Sequence, residues 1–248
     1  VFTLITFEKF SRRKTKRWSD NPASLDSLGW DLKRYRYYLA ILVTSFPPLF
    51  SIGIPFFWFL LNIDQVQKGM TAELLTLTFR TIFLGIVAAL ITIIFSLILT
   101  LANRQNKQLL MRFITFPAGI GYAIPGTVLA ISLITISNSK LHFIAICLLI
   151  WGYIVRFLTI SKGTLHSGFE RISPSLDEAA NGLGSNWLDV IKKIHIPLLK
   201  GPIVVGSLLV FVDTIKELPL TFILRPFDYD TLSVRIYQYA GDERMAEA

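Results

Sequence analysis

The sequence is short of charge and almost free of cysteine. Only 17% of its 248 residues are Asp, Glu, Lys or Arg, against about 25% in a typical soluble domain. With 52% hydrophobic residues and a positive mean hydropathy, a membrane class follows before any motif is read. The single cysteine, Cys147, lies in an apolar run, where a buried thiol is expected. A disulfide framework is thereby excluded, and the redox compartment stays open. No GxxxxGK[ST] nucleotide loop occurs, and no paired His or Cys spacing suits a catalytic metal. No signal peptide with a small-residue cleavage site is visible. A start at Val1 rather than Met, and an end at Ala248 without an obvious terminator, are expected of a piece of a longer protein.

What is present is a series of long apolar runs. A bilayer-crossing helix needs about 20 mostly apolar residues, at about 1.5 Å rise each. Tyr38–Ile63 qualifies, with bends expected at Pro47, Pro48 and Pro55. Thr81–Ala102 is uncharged and uninterrupted, and Ile114–Ile136 is uncharged but holds Pro117, Gly119, Gly121, Pro125 and Gly126. Phe143–Ile160 carries Arg156 near one end, where snorkelling to the interface is expected. Ile203–Leu224 begins apolar and then meets Asp213, Lys216, Glu217 and Pro219. The fold class read from this is all-α: a polytopic membrane helix bundle of about five transmembrane helices.

The hydrophilic stretches alternate in basic content. Glu8–Arg36 holds nine Lys or Arg, including Arg12, Arg13, Lys14, Lys16 and Arg17. Asn62–Thr78 holds only Lys68, and Ser137–His142 only Lys140. Asn103–Phe113 holds Arg104, Lys107 and Arg112, and Ser161–Pro202 holds Lys162, Arg171, Lys192, Lys193 and Lys200. By the positive-inside rule the rich stretches are cytoplasmic. If the last span crosses, the tail 225–248 lies outside. Residues 1–37 then read as a basic cytoplasmic connector and 38–248 as the transmembrane domain. The basic cluster could also suit nucleic acid, but a cluster directly before a span is expected from topology and from anionic lipid. No nucleic-acid partner is expected.

The loop 161–202 is too long for a simple connection. Within it, Ser175 followed by Glu178 reads as a capping box. Asp177 and Glu178 put negative charge in the first turn, where the helix dipole favours it. Ala179 and Ala180 would allow close approach of another surface, and Gly182 and Gly184 would end the helix. Asn186 can cap a second helix, Trp187–Ile194, with Trp187, Val190, Ile191 and Ile194 as its apolar stripe. Pro197 and Pro202 are expected to stop it. Read from residues alone, the loop is two short helices hinged at glycines; an interfacial hairpin with only a packing role is the plain alternative.

Glu178-Ala179-Ala180, then Gly184, then Ile196-Pro197-Leu198 resembles the EAA signature of binding-protein-dependent ABC importer permeases. Gly121–Ala130, the pair Lys216-Glu217-Leu218-Pro219 and Leu224-Arg225-Pro226-Phe227, and the tail Glu243–Ala248 look like the ferric-iron branch, C-terminal half. The resemblance implies a permease subunit in the bacterial inner membrane. Its loop would act as a coupling helix docked on a cytoplasmic ABC ATPase dimer. A periplasmic binding protein and a second permease half would be further partners, alongside membrane lipid. The resemblance also implies ATP on the partner subunit, with no cofactor, catalytic residue or metal site in this chain. The docking residues it implies are Glu178, Ala179, Ala180, Gly184 and Pro197. Permeases for thiamine, phosphonate, sulfate or polyamine share the loop. An ATPase-independent secondary carrier, a membrane-embedded enzyme and a scaffold are the rival classes.

Asp213, Lys216 and Glu217 are the remaining signal. Asp213 lies about 15 Å into its span, near the midplane, and a charge there normally faces a partner or water. Spacings of three and four would let all three residues share a face. They would either line a translocation path or pin helices together. The helix is expected to break near 217–219, with Leu218 pushed out of helical geometry by Pro219. His142, His166 and His195 read as surface histidines.

Overall fold

In a computed structural model, residues 32, 35–63, 72–105, 115–137, 142–245 and 248 are described. The chain divides into two units between residues 60 and 61. The first contributes one helix, α1 (Tyr35–Leu61), which runs through Pro47, Pro48 and Pro55 and has no buried residue. Of the connector 1–37, only residues 32 and 35–37 are described.

The second unit holds α2 (Ala72–Gln105), α3 (Gly126–Ser137), α4 (His142–Phe169), α5 (Pro174–Gly182), α6 (Trp187–Leu198), α7 (Lys200–Lys216), α8 (Pro219–Leu224) and α9 (Leu232–Gly241). α2, α4 and α7 pack against one another, and α8 packs on α3 and α4. Their shared core contains Leu84, Ala88, Leu149, Tyr153, Phe157, Val210 and Leu220.

α2 differs from a soluble helix in being apolar on its exposed side while burying polar residues beside Leu84, Ala88 and Ile93. Its buried side carries Thr92, Ser96 and Thr100, while Leu90, Ile94 and Ile98 are exposed. Water would make such an apolar surface an aggregation liability. In lipid, by contrast, small and polar residues belong between helices.

Three helices among the described residues are long and apolar enough to cross a bilayer: α1, α2 and α4. A fourth candidate is the pair α6–α7, bent by 70° at the junction. The expected span Ile114–Ile136 is built differently from these. It is not one helix: two 3-10 turns, Pro117–Gly119 and Gly121–Ala123, precede the twelve-residue α3. The proline and glycine content breaks the α-helical hydrogen bonds, and α4 supplies donors to the carbonyls set free. Lys162 Nζ donates to Thr115 C=O, Thr159 Oγ1 to Ala118 C=O at 3.1 Å, and Arg156 Nη1 to Ile124 C=O at 2.7 Å. Irregular backbone at membrane depth survives only with such partners. A methyl group at Gly121 would collide with the Val155 carbonyl, so this packing requires glycine there.

Two further boundaries move. The fourth span continues nine residues past Ile160 to Phe169, shortening the free loop. The last span is α7, then a break, then α8. Cys147, expected buried, is exposed on the outer side of α4.

Candidate functional site

The loop between α4 and α7 is built on α5. Its N-cap is Ser173 rather than Ser175: Ser173 Oγ accepts from Ser175 N at 3.3 Å. Pro174 takes the first helical position, where a missing N–H costs nothing; the cap moves by two residues, and the expected capping box does not form because Leu176 stands at N3. At the other end Gly184 has φ +80°. Ser185 N donates to Ala180 C=O and Gly184 N to Asn181 C=O, both at 3.0 Å, the hydrogen-bond pair of a Schellman turn. A side chain at Gly184 would meet no neighbour, so the constraint on it is conformational rather than steric.

α5 has two faces. Glu178 and Ala179 are exposed, whereas Ala180 is buried. Ala180 therefore packs inward and does not share the outer surface expected for both alanines. Asp177, one residue from Glu178, also points inward. Arg104 Nε, at the end of α2, donates to Asp177 Oδ2 at 2.7 Å. His195 Nε2 lies 2.7 Å from Asp177 Oδ1. Since an ionised carboxylate only accepts, the histidine is the donor. Burial by itself would raise the Asp177 pKa, but the hydrogen bonds and charges of Arg104 and His195 outweigh it and hold the carboxyl below its usual range.

His195 is a correction: expected at the surface, it is 0% exposed. Its ring meets Phe169 edge-on at 5.3 Å and Trp187 at 5.7 Å. The signal was in the sequence, because 187, 191 and 195 follow at helical spacing on the apolar stripe. His166, by contrast, is exposed beside Glu170, and the side chain of His142 lies outside the described residues.

Pro197 does not stop α6, and Pro202 falls in the first turn of α7. Lacking an N–H, Pro197 cannot close an α-helical bond to Lys193. The backbone over Ile191–His195 instead widens into a π-turn. Pro197 itself is exposed.

The charged patch separates into two parts. Asp213 and Lys216 pair with each other at 3.0 Å, with Lys216 65% exposed. Glu217 turns away from them, and the expected shared face of three does not form. It is the extended C-cap of α7 (ψ 108°), while Leu218 keeps helical angles (φ −95°, ψ −53°). The break thus falls one residue earlier than the proline rule placed it. Glu217 is 8% exposed and its Oε2 lies 3.3 Å from Arg156 Nε. Arg156 consequently does not snorkel. It reaches inward, with its guanidinium 5.6 Å from the Tyr122 ring centroid. Gly126 makes room for the pair, since a Cβ there would sit 2.6 Å from Glu217 Oε1.

The opposite end of the unit is tied differently. Arg80 Nη1 donates to Asp228 C=O at 2.6 Å, Leu232 N donates to Thr81 Oγ1 at 2.9 Å, and Arg235 pairs with Glu73. The tail 225–241 and the start of α2 therefore share one end, while the end of α2 and the α5–α6 loop share the other. The alternation of basic stretches requires the same grouping.

A helix bundle with long apolar helices, an apolar exterior and small and polar residues buried between helices, braced to a structured loop, defines a multi-pass helical membrane protein. Residues 93–224, more than half of the chain, match the family described as "Binding-protein-dependent transport system inner membrane component". The chain belongs to that family and is a transport permease component. Over 206 residues it is 24% identical to the Fe(3+)-transport system permease protein FbpB 2 of Haemophilus influenzae. The alignment covers 81% of this chain and 41% of that relative, so the chain spans less than half of the relative's length.

Proposed function

We propose that this chain is the C-terminal half of a permease in an ATP-driven importer of ferric iron. A periplasmic binding protein delivers the substrate, and a homologous second half completes the pore. The α5–α6 loop docks on a separate cytoplasmic ATPase dimer, and this chain hydrolyses nothing itself. The observation that carries the docking reading is the division of α5: Glu178 and Ala179 face outward on a helix whose other side is anchored to the bundle. An exposed acid beside a small residue suits a basic partner at close range, and Pro197 lies exposed at the far end of the same loop. The iron assignment rests on the named relative and on the motifs at 121–130 and 216–227.

Asp213 and Lys216 are proposed to line the translocation path, whereas Glu217 serves as a helix pin. A charged pair on the outside of a span is costly against lipid, so that side of α7 belongs against the second half or a water-filled cavity.

Gly184→Asp tests docking. The variant is expected to insert normally, to lose co-purification of the ATPase and to abolish uptake of radiolabelled ferric iron in membrane vesicles. Normal uptake by Gly184→Asp would overturn the docking assignment.

A further inference from the structure

The contacts behind the docking face tie four segments of chain to one side chain. Arg104 projects from the last turn of α2. Beyond its bond to Asp177, its Nη1 donates to Phe169 C=O at 3.3 Å and Ile172 C=O at 3.2 Å. Its Nη2 donates to Ile172 C=O at 3.2 Å and Ser173 C=O at 3.3 Å. Those carbonyls end α4 and lead into α5; Phe169 C=O and Ser173 C=O also accept from Ile172 N and Leu176 N, so Arg104 takes up their second lone pairs. The guanidinium also lies 5.4 Å from the Phe169 ring centroid. Only arginine offers five N–H donors in a fixed plane for such a set. Asp177 then passes the connection to His195 in the π-turn, one helical turn before Leu199, where the chain bends into α7. Around this polar centre Leu101, Phe169, Ile172 and Leu199 are buried together. The side chains at 16%, 19% and 0% exposure are shielded enough for charge-assisted bonds to count.

We propose that Arg104, Asp177 and His195 form a strut that carries displacement of the α5 docking face into α2, α4 and α7, making them positioning residues for coupling rather than docking contacts. The proposal rests on the docking reading. A push on Glu178 and Ala179 moves a helix that cannot shift without taking along the ends of three packed helices. With the strut cut, α5 can yield locally and the push is absorbed in the loop. Docking and coupling thereby separate: Glu178 faces outward for one, and the adjacent Asp177 faces inward for the other.

The test uses the full chain in its assembled transporter, with Asp177→Asn, His195→Phe and His195→Gln. Asp177→Asn and His195→Phe are expected to co-purify the ATPase as the wild type does and to hydrolyse ATP. Ferric iron taken up per ATP hydrolysed should fall about tenfold, within the span usual for coupling between sites. His195→Gln keeps a donor toward Asp177 and should recover most of that ratio. A merely structural role would lower the amount of complex and leave the ratio unchanged, which would overturn the strut. Hydrogen exchange on the isolated full chain gives a second readout independent of transport. In Asp177→Asn, amides of 174–198 should exchange faster while those of the α2–α4–α7 core stay protected; unchanged exchange in 174–198 would also overturn it. If the wild-type chain recruits no ATPase, the docking reading fails and coupling falls with it, whatever the exchange data show.

Discussion

Arg104 and Arg156 each reach across to a carboxylate on another segment, and their footings differ. Arg104 stands at the end of an unbroken helix and holds carbonyls at one helix end, a carboxylate and, through it, a buried histidine. Arg156 stands within α4 and holds two irregular stretches, the 3-10 segment through Ile124 C=O and the α7–α8 break through Glu217. The first cluster joins the ends of helices, with His195 in the π-turn of α6. The second joins segments whose backbone has already left the α-helix and whose carbonyls are held by side-chain donors. The same chemistry therefore ties helix ends in one place and irregular backbone in the other.

Breaking the second cluster gives the largest expected loss of stability. Glu217→Ala leaves the Arg156 charge buried without its partner, at a cost of about 3–5 kcal/mol. Thermal unfolding of detergent-purified protein should show it, and the double variant Glu217→Ala/Arg156→Leu should recover much of the loss. An unchanged midpoint for the single variant would show that the pair is solvated.

Gly126→Ala probes the same place with charge untouched. Its new methyl meets Glu217 Oε1 at 2.6 Å and Arg156 Nη1 at 3.4 Å, an overpacking cost of about 1–3 kcal/mol. If this tie is movable, uptake should suffer more than the unfolding midpoint. Equal midpoint and uptake to wild type would mean that the pair shifts aside freely.

The smallest effect belongs to acid titration of the strut. The Asp177 carboxyl titrates below its ordinary 3.8 in the folded protein. A lowered folded pKa means that its contribution is complete above about pH 4 and is lost as pH falls through the folded value. The stability gap between wild type and Asp177→Asn should hold steady down to about pH 4 and close only below it. A gap that closed at higher pH would place the carboxyl outside the strut.

Much of this was legible in the chain. Spans, the alternation of basic stretches, the glycine turn at 184 and the outward Glu178 follow from residue type and spacing, because lipid imposes length and a Schellman turn imposes positive φ. The displaced cap at Ser173 was legible too, had Pro174 been given its preferred position. Ala180 was harder: which of two adjacent alanines faces inward depends on where the helix lies.

The sequence by itself determined an apolar bundle, the grouping of its connections by basic content and the position of its structured loop, since hydropathy and charge act residue by residue. Only the tertiary structure decided what the isolated charges do. Arg104 and Asp177 are 73 positions apart and Arg156 and Glu217 are 61 apart, and no local period relates them. Their pairing comes from helix packing, which sets which side of each helix is inside. That packing gave a basic loop residue a shielded acid as partner, made an expected surface histidine a buried donor and turned Glu217 away from Asp213 toward Arg156.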